Sequence, residues 1–253
     1  MKLNSSKTKL IVFNPPRSPY NIPLADSVFD IQFNDDLLEE SSSVEVLGSM
    51  WSTDFRFNSF ISTKVKSCNN ELRNLKHVKG SLDTDIRFML VNNLILTKLD
   101  YCNSLLAGCT QSEIQRLQKI MNDAVRFVFD LNRRSHITPF LLKLHLLPVK
   151  FRIQYKLCTL AFAIVSGTAP CYLSDKFCCY QPTSNMVLRQ ESGRDNKMLV
   201  CSVGDLPKKC IFDKLLNVWN ELPFRIRNAK SIDVFKKQLK TYYFPKAYEN
   251  YEQ

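Results

Sequence analysis

The sequence predicts an α+β fold class that is mainly α-helical, with a small β-rich piece at the N-terminal end. Residues 28–33 alternate between polar and apolar side chains, which is typical of a strand with one buried face. From residue 59 onward the apolar residues recur every three or four positions, as on one face of a helix. With 253 residues and an apolar fraction of 45%, the chain is large enough to bury a hydrophobic core.

The first 62 residues are predicted to form short strands joined by turns. The strand patterns cover 8–13, 28–33 and 44–48. Asn34, Asp35 and Asp36 predict a turn, because Asn and Asp side chains bond their own backbone in turns. Two adjacent Asp residues are also a candidate metal pair for two-metal nucleotidyl chemistry. That chemistry needs a further acid on a neighbouring strand, and because no local motif marks one, the turn is favoured.

The remainder is predicted to be helical, with one domain over 63–165 and a distal domain over 166–253. Ser81 is the predicted N-cap of a long buried helix that Gly108 ends. Pro148 marks the start of another helix, and Ser231 caps the last one. Glycines and prolines interrupt 166–210, so this stretch is predicted to be irregular. Before the last helix, the helices are predicted over 59–78, 81–106, 113–131, 149–165 and 212–222.

Charge is the strongest signal in the composition. Residues 1–60 hold five Lys/Arg against eight Asp/Glu, whereas 61–253 hold thirty against sixteen. A basic body of this kind predicts a polyanionic partner such as nucleic acid, although basic helix faces are also simply solvated. The candidate phosphate-binding residues lie on two predicted helices and the segment between them: Arg116, Lys119, Arg126, Arg133, Arg134, Lys150, Arg152 and Lys156.

Common catalytic arrangements are absent from the sequence. The three His residues lie far apart without a nucleophile motif, which argues against a Ser–His–Asp hydrolase. The spacing of Cys171, Cys178 and Cys179 matches no common zinc finger, so packing thiols are favoured over a metal site. There is neither a phosphate loop of Walker type nor a dinucleotide glycine fingerprint. We therefore expect no catalytic residues and no metal ligands.

The cysteine content and the first residues of the chain indicate the cellular location of the protein. The chain has nine Cys, an odd number, and it opens with polar residues rather than a signal peptide. These features predict an intracellular protein with free thiols, in the nucleus or the cytoplasm. No apolar run approaches the roughly 18 residues of a membrane helix, so no membrane partner is expected.

Three strings in the C-terminal two-thirds carry a resemblance to a known family. They read LDYCNSLL at 99–106, LHLLPVKFRI at 144–153 with GTAPCYL at 167–173, and VWNELP at 218–223. In this order they resemble the distal part of non-LTR, LINE-type retrotransposon reverse transcriptases, especially the chicken-repeat-1, L2 and jockey-like groups. The family usually has Trp at the position of Leu146, which is a departure.

The resemblance extends upstream more weakly. Residues 3–9 resemble polymerase motif D, with Lys7 at the position of a lysine thought to help protonate pyrophosphate. Residues 46–61 resemble motif E, the primer grip, although Ser49 and Met50 replace an apolar pair. In this family the Asp residues that bind Mg²⁺ belong to motifs A and C, which precede motif D. Because the chain begins at the motif D-like segment, we expect those ligands to be missing, and no cofactor.

The resemblance implies the end of a polymerase palm in 1–62, a helical thumb in 63–165 and a distal domain in 166–253. We therefore expect a truncated RNA-directed DNA polymerase that is inactive alone. It would bind template–primer nucleic acid, as RNA or an RNA–DNA hybrid, through backbone phosphates. The missing upstream polymerase portion is a further expected partner. Two alternatives stay open: a host-retained protein–protein interaction module, and a non-functional fragment of retroelement origin.

Overall fold

The computed structural model describes residues 8–13, 31–33, 36–38, 40–179, 198–201 and 210–249. The chain forms two compact units, Met1–Ser67 and Cys68–Gln253. The described residues are mainly helical and carry small antiparallel strand pairs, which confirms the predicted α+β class. Among these residues, no helix is at once long enough and apolar enough to cross a membrane.

The first unit contains two antiparallel hairpins. β1 (Gln32–Phe33) pairs with β2 (Asp36–Leu37), and β3 (Ser43–Val46) pairs with β4 (Ser49–Ser52). Phe33 lies opposite Asp36 in the antiparallel pair, and Asn34 and Asp35, on which the predicted turn falls, lie outside the described residues. The predicted strand over 8–13 is wrong, because the only pairing described there is a single parallel bridge between Leu10 and Glu40.

The turn between β3 and β4 has an unusual residue. Leu47 and Gly48 have φ angles of 49° and 73°, and two positive values in a two-residue loop are typical of a type I′ turn. Glycine adopts this conformation without strain, but a leucine does not. Leu47 is also 85% exposed, so its side chain gains little from packing. In the same unit, Phe13 and Phe55 stack with ring centroids 4.3 Å apart.

α1 (Asn58–His77) crosses the boundary between the two units and agrees with the predicted helix over 59–78. The next helix begins later than predicted, since Asp83 and not Ser81 is its N-cap. The carboxylate of Asp83 accepts a hydrogen bond from the Ile86 backbone N–H at 2.8 Å, whereas Ser81 ends a short 3₁₀ turn, Lys79–Ser81.

The same helix is neither uniform nor as long as predicted. α2 (Thr84–Val91) continues into a π-helical segment (Asn92–Leu96) and then α3 (Thr97–Asp100). The Thr97 N–H donates to the Asn92 carbonyl five residues back, which is the π pattern. The helix ends at Asp100, because Cys102 adopts a left-handed φ of 50°. A 3₁₀ helix, Asn103–Gly108, follows.

α6, whose bounds match the prediction, lies at the centre of the helices of the second unit. α6 (Val149–Val165) contacts α4, α8 and α10, and its apolar face includes the buried Leu157, Cys158 and Ala161. Phe162 stacks on Phe235 of α10 with ring centroids 4.5 Å apart. The other elements of this unit are α4 (Gln111–Phe129), α5 (Thr138–Lys143), α7 (Cys171–Ser174), β5 (Phe177–Cys179), β6 (Leu199–Cys201), α8 (Ile211–Asn220), α9 (Phe224–Arg227) and α10 (Ile232–Tyr248).

The segment 218–223 has a structural role in this core. The Trp219 side chain is fully buried. The Asn220 amide bonds both backbone groups of Leu199: its Oδ1 accepts from the N–H at 3.0 Å, and its Nδ2 donates to the carbonyl at 2.9 Å. Leu199 in turn pairs with Cys179, so Asn220 fixes the β5–β6 pair to the end of α8.

Candidate nucleic-acid interface

α4 presents two of the candidate basic residues to solvent. Thr110 and Glu113 form a capping box at its start, in which the Thr110 N–H donates to the Glu113 carboxylate at 2.7 Å. One face of the helix is fully buried, as its four- and three-residue spacing predicts, through Leu117, Met121, Ala124 and Val128. Arg116 and Lys119 lie off this face and are exposed.

Arg126, near the end of α4, is more constrained. Its side chain is 20% exposed, and Nη1 donates to the Asp123 carboxylate at 3.0 Å. Part of its charge is therefore offset within the helix. Arg133 and Arg134 lie beyond the left-handed residue Asp130, which ends the helix, and both are exposed.

The three candidates at the start of α6 divide between two faces. Lys150 is exposed and borders one cleft with Lys214 of α8 and another with Lys246 of α10. Arg152 and Lys156 are one helical turn apart and together line a different cleft. A sequence interval of two residues places Lys150 and Arg152 on opposite sides of the helix, so these residues cannot form one continuous basic strip.

Arg152 takes part in an ion pair that connects distant segments. Its Nε donates to Asp100 Oδ1 at 2.8 Å, and its Nη2 donates to Asp100 Oδ2. Asn103 Nδ2 donates to the same carboxylate at 3.2 Å. The two charged side chains are 19% and 27% exposed. Because Asp100 lies in the segment 99–106 and Arg152 in the segment 144–153, this contact joins the two segments at the end of α3 and the start of α6.

The cleft of Arg152 and Lys156 also includes Lys240 of α10, and its volume is about 360 Å³. The sequence predicts that Lys240 is exposed on the last helix, and it is, but nothing in the local pattern groups it with Lys156. Burial raises the pKa of Tyr155, which lines the same cleft. The Tyr155 hydroxyl is therefore neutral at pH 7 and available as a hydrogen-bond donor.

A thiol in the cleft that Lys150 and Lys214 border has a raised pKa. Cys109 lines that cleft, and burial, with a smaller contribution from the Glu113 charge, raises its pKa to about 11. A thiol with this pKa is almost entirely protonated at pH 7, so it is a poor nucleophile and a poor metal ligand.

The other sequence-based candidates do not form a metal centre in the part of the chain that the structure describes. No group of three or more His, Cys, Asp or Glu residues in that part is arranged to hold a metal ion. Cys171, Cys178 and Cys179 are exposed and form no disulfide there. Lys7, the motif D-like residue, lies outside the described residues, as does Asp35.

No family model, curated protein or solved structure matches this chain.

Proposed function

We propose that the chain binds nucleic acid through backbone phosphates and does not itself catalyse polymerisation. The observation that carries the proposal is the exposure of six of the eight predicted phosphate-binding residues. Arg152 and Arg126, the other two, are engaged by Asp100 and Asp123. The exposed six are Arg116, Lys119, Arg133, Arg134, Lys150 and Lys156.

The sequence resemblance supports a more specific form of this proposal. Residues 99–106, 144–153, 167–173 and 218–223 resemble the distal part of a LINE-type reverse transcriptase. On that basis we infer that the segments of the chain correspond to the end of the palm, a thumb and a distal domain. Its ligand would be a template–primer RNA–DNA hybrid, and the Mg²⁺ ligands would belong to motifs outside this sequence.

The salt dependence of binding tests this proposal. Fluorescence anisotropy with a labelled RNA–DNA hybrid, repeated over a range of salt concentrations, gives the slope of log K against log salt. Each phosphate contact contributes roughly −0.9 to this slope through counterion release. We expect the double variant Arg133→Gln/Arg134→Gln to bind more weakly and to reduce the slope by about two.

Lys236→Gln/Lys237→Gln is a matched control, because it also removes two exposed charges from the same unit. We expect this control to leave the slope nearly unchanged, since neither lysine belongs to the proposed interface. Undetectable binding, salt-insensitive binding, or an equal loss in both double variants would contradict the proposal.

The alternative of a protein-interaction module is favoured by one observation in the first unit. Leu47 is 85% exposed, and the stacked pair Phe13 and Phe55 is 42% and 44% exposed. Exposed apolar groups of this kind are common at protein contacts. Under this alternative, Leu47→Asn removes binding to a protein partner and has no effect on binding to the hybrid. The anisotropy measurement therefore separates the two functions.

A further inference from the structure

The cleft shared by α2, α6 and α10 combines an excess of positive charge with a concave shape. Arg152, Lys156 and Lys240 line it, and Asp100 is the acidic residue among its lining side chains, so cations exceed anions by two. Its volume of about 360 Å³ falls at the lower end of the range for small-ligand sites. Exposed phosphate-binding surfaces, in contrast, need no concavity.

Asp100 positions the guanidinium of Arg152 and leaves part of it available. The ion pair uses Nε and Nη2, which are on one edge of the planar group. A guanidinium has five N–H donors, so the edge formed by Nη1 and the second Nη2 hydrogen still has donors for a ligand. Lys156 lies one turn further along α6 and adds a second cation on the same side.

Two departures from regular backbone lie in the walls of this cleft. Asn92, the first residue of the π-helical segment, is one lining residue. His145 is another, and it has a left-handed φ of 50° at the end of α5. There the Leu146 N–H donates to the Leu141 carbonyl at 3.0 Å, as in a Schellman stop, a position that glycine usually occupies. Irregular helices and left-handed non-glycine residues concentrate at functional sites.

We propose that this cleft binds the terminal phosphate of a nucleic acid strand, as a phosphomonoester. A terminal phosphate carries between one and a half and two negative charges at about pH 7, which matches the excess of two cations. An internal phosphodiester carries one charge and has a sugar on each side, so a concave cleft suits it less well. The inference rests on the proposed function for the source of the ligand, since it adds recognition of a strand end to binding along the backbone.

A comparison of binding affinities for hybrids with different strand ends tests the inference. The anisotropy measurement is repeated with RNA–DNA hybrids that carry a 5′-phosphate, a 3′-phosphate or only hydroxyl ends. We expect one phosphorylated end to bind roughly tenfold more tightly than the hydroxyl form, because the added bonds are charge-assisted. Lys156→Gln/Lys240→Gln should abolish this preference, and Asn92→Asp should do so independently by adding an anion at the wall. Lys236→Gln/Lys237→Gln, with the same loss of charge, should keep it.

The outcomes separate the inference from the proposed function. Equal affinity for phosphorylated and hydroxyl ends overturns the inference and leaves backbone binding intact. Loss of binding to every hybrid overturns the proposed function. Calorimetric titration with adenosine monophosphate then shows whether the cleft binds a phosphomonoester. Binding of this nucleotide that Lys156→Gln/Lys240→Gln removes supports a phosphomonoester site for free nucleotides. Absence of nucleotide binding overturns the proposal that the cleft is a phosphomonoester site.

Discussion

The ion pair between Asp100 and Arg152 joins residues 52 positions apart, so its removal tests how α3 and α6 are held together. Asp100→Asn keeps the shape of the side chain and removes its charge. One of the two oxygens becomes an NH₂ group, which then faces a donor of Arg152. Arg152 remains partly buried with its charge less well compensated.

The expected cost follows from the exposure of the pair. Removing one partner from a fully buried ion pair costs about 3–5 kcal/mol, whereas exposed pairs contribute about 0.2–1 kcal/mol. The two side chains are 19% and 27% exposed, which places this pair between those limits. We expect Asp100→Asn to lower the free energy of unfolding by about 2 kcal/mol. In a protein of this size that corresponds to a fall in Tm of about 4–8 °C.

Urea denaturation followed by circular dichroism measures the loss, and Asp123→Asn is the matched control. That substitution removes the carboxylate paired with Arg126 three residues away on the same helix, and we expect it to cost under about 1 kcal/mol. A double-mutant cycle of Asp100→Asn with Arg152→Gln should give a coupling energy of about 1–3 kcal/mol. A coupling energy near zero, or equal losses for Asp100→Asn and Asp123→Asn, would refute this reasoning.

Three further predictions concern other parts of the chain. Leu47→Asn should raise the free energy of unfolding of the first unit by about 1 kcal/mol, because Asn tolerates a positive φ better than Leu; a lower value in urea denaturation would contradict this. Asn220→Asp should cost about 1–3 kcal/mol in urea denaturation, because a carboxylate cannot donate to the Leu199 carbonyl, and Asn69→Asp at an exposed position of α1 is the control with the same added charge. Burial raises the pKa of Cys158 from 9.0 to about 12, so its contribution to stability is fully present below about pH 9 and is lost as the pH rises towards 12. Iodoacetamide at about pH 8 should therefore label Cys158 after the exposed thiols, as mass spectrometry will show, and early labelling would exclude its burial. The thiols expected to react first are the exposed ones, Cys171, Cys178 and Cys179.

Local sequence signals were sufficient where a helix has a marked beginning and one apolar face. Pro148 precedes the first turn of α6, and the helix ends just before Gly167, whose φ is 70°. Ser231 caps α10 through a bond from the Val234 N–H at 3.3 Å, as predicted. These signals act within four residues of the boundary, so they can be read without knowledge of the tertiary structure.

The signals failed where distant residues decide the backbone. The long helix predicted over 81–106 contains no glycine or proline at the point where it breaks, yet Cys102 is left-handed. Asp100 and Asn103 flank the break and bond each other, and Asp100 also bonds Arg152. The break coincides with a contact between Asp100 and α6, and the local sequence pattern does not show this contact.

The candidate interface shows the same division between local and tertiary information. Amphipathic spacing is typical of helices on which basic residues such as Arg116, Lys119, Lys150 and Lys156 are exposed. It could not indicate that Arg152 is held by Asp100, or that Lys240 shares a cleft with Lys156. Grouping of side chains from three helices depends on how those helices pack, which the spacing along each one does not specify.

The π-helical segment Asn92–Leu96 sets the rotational phase between the two ends of its helix. A π turn accommodates one residue more than an α turn, and each residue of an α-helix advances the direction of its side chain by about 100°. If the same residues formed a regular α-helix, Asp100 would be turned by about that angle relative to α2. The carboxylate would then point away from Arg152, so the π turn, by absorbing one residue, keeps an ion pair in register eight residues further along the chain.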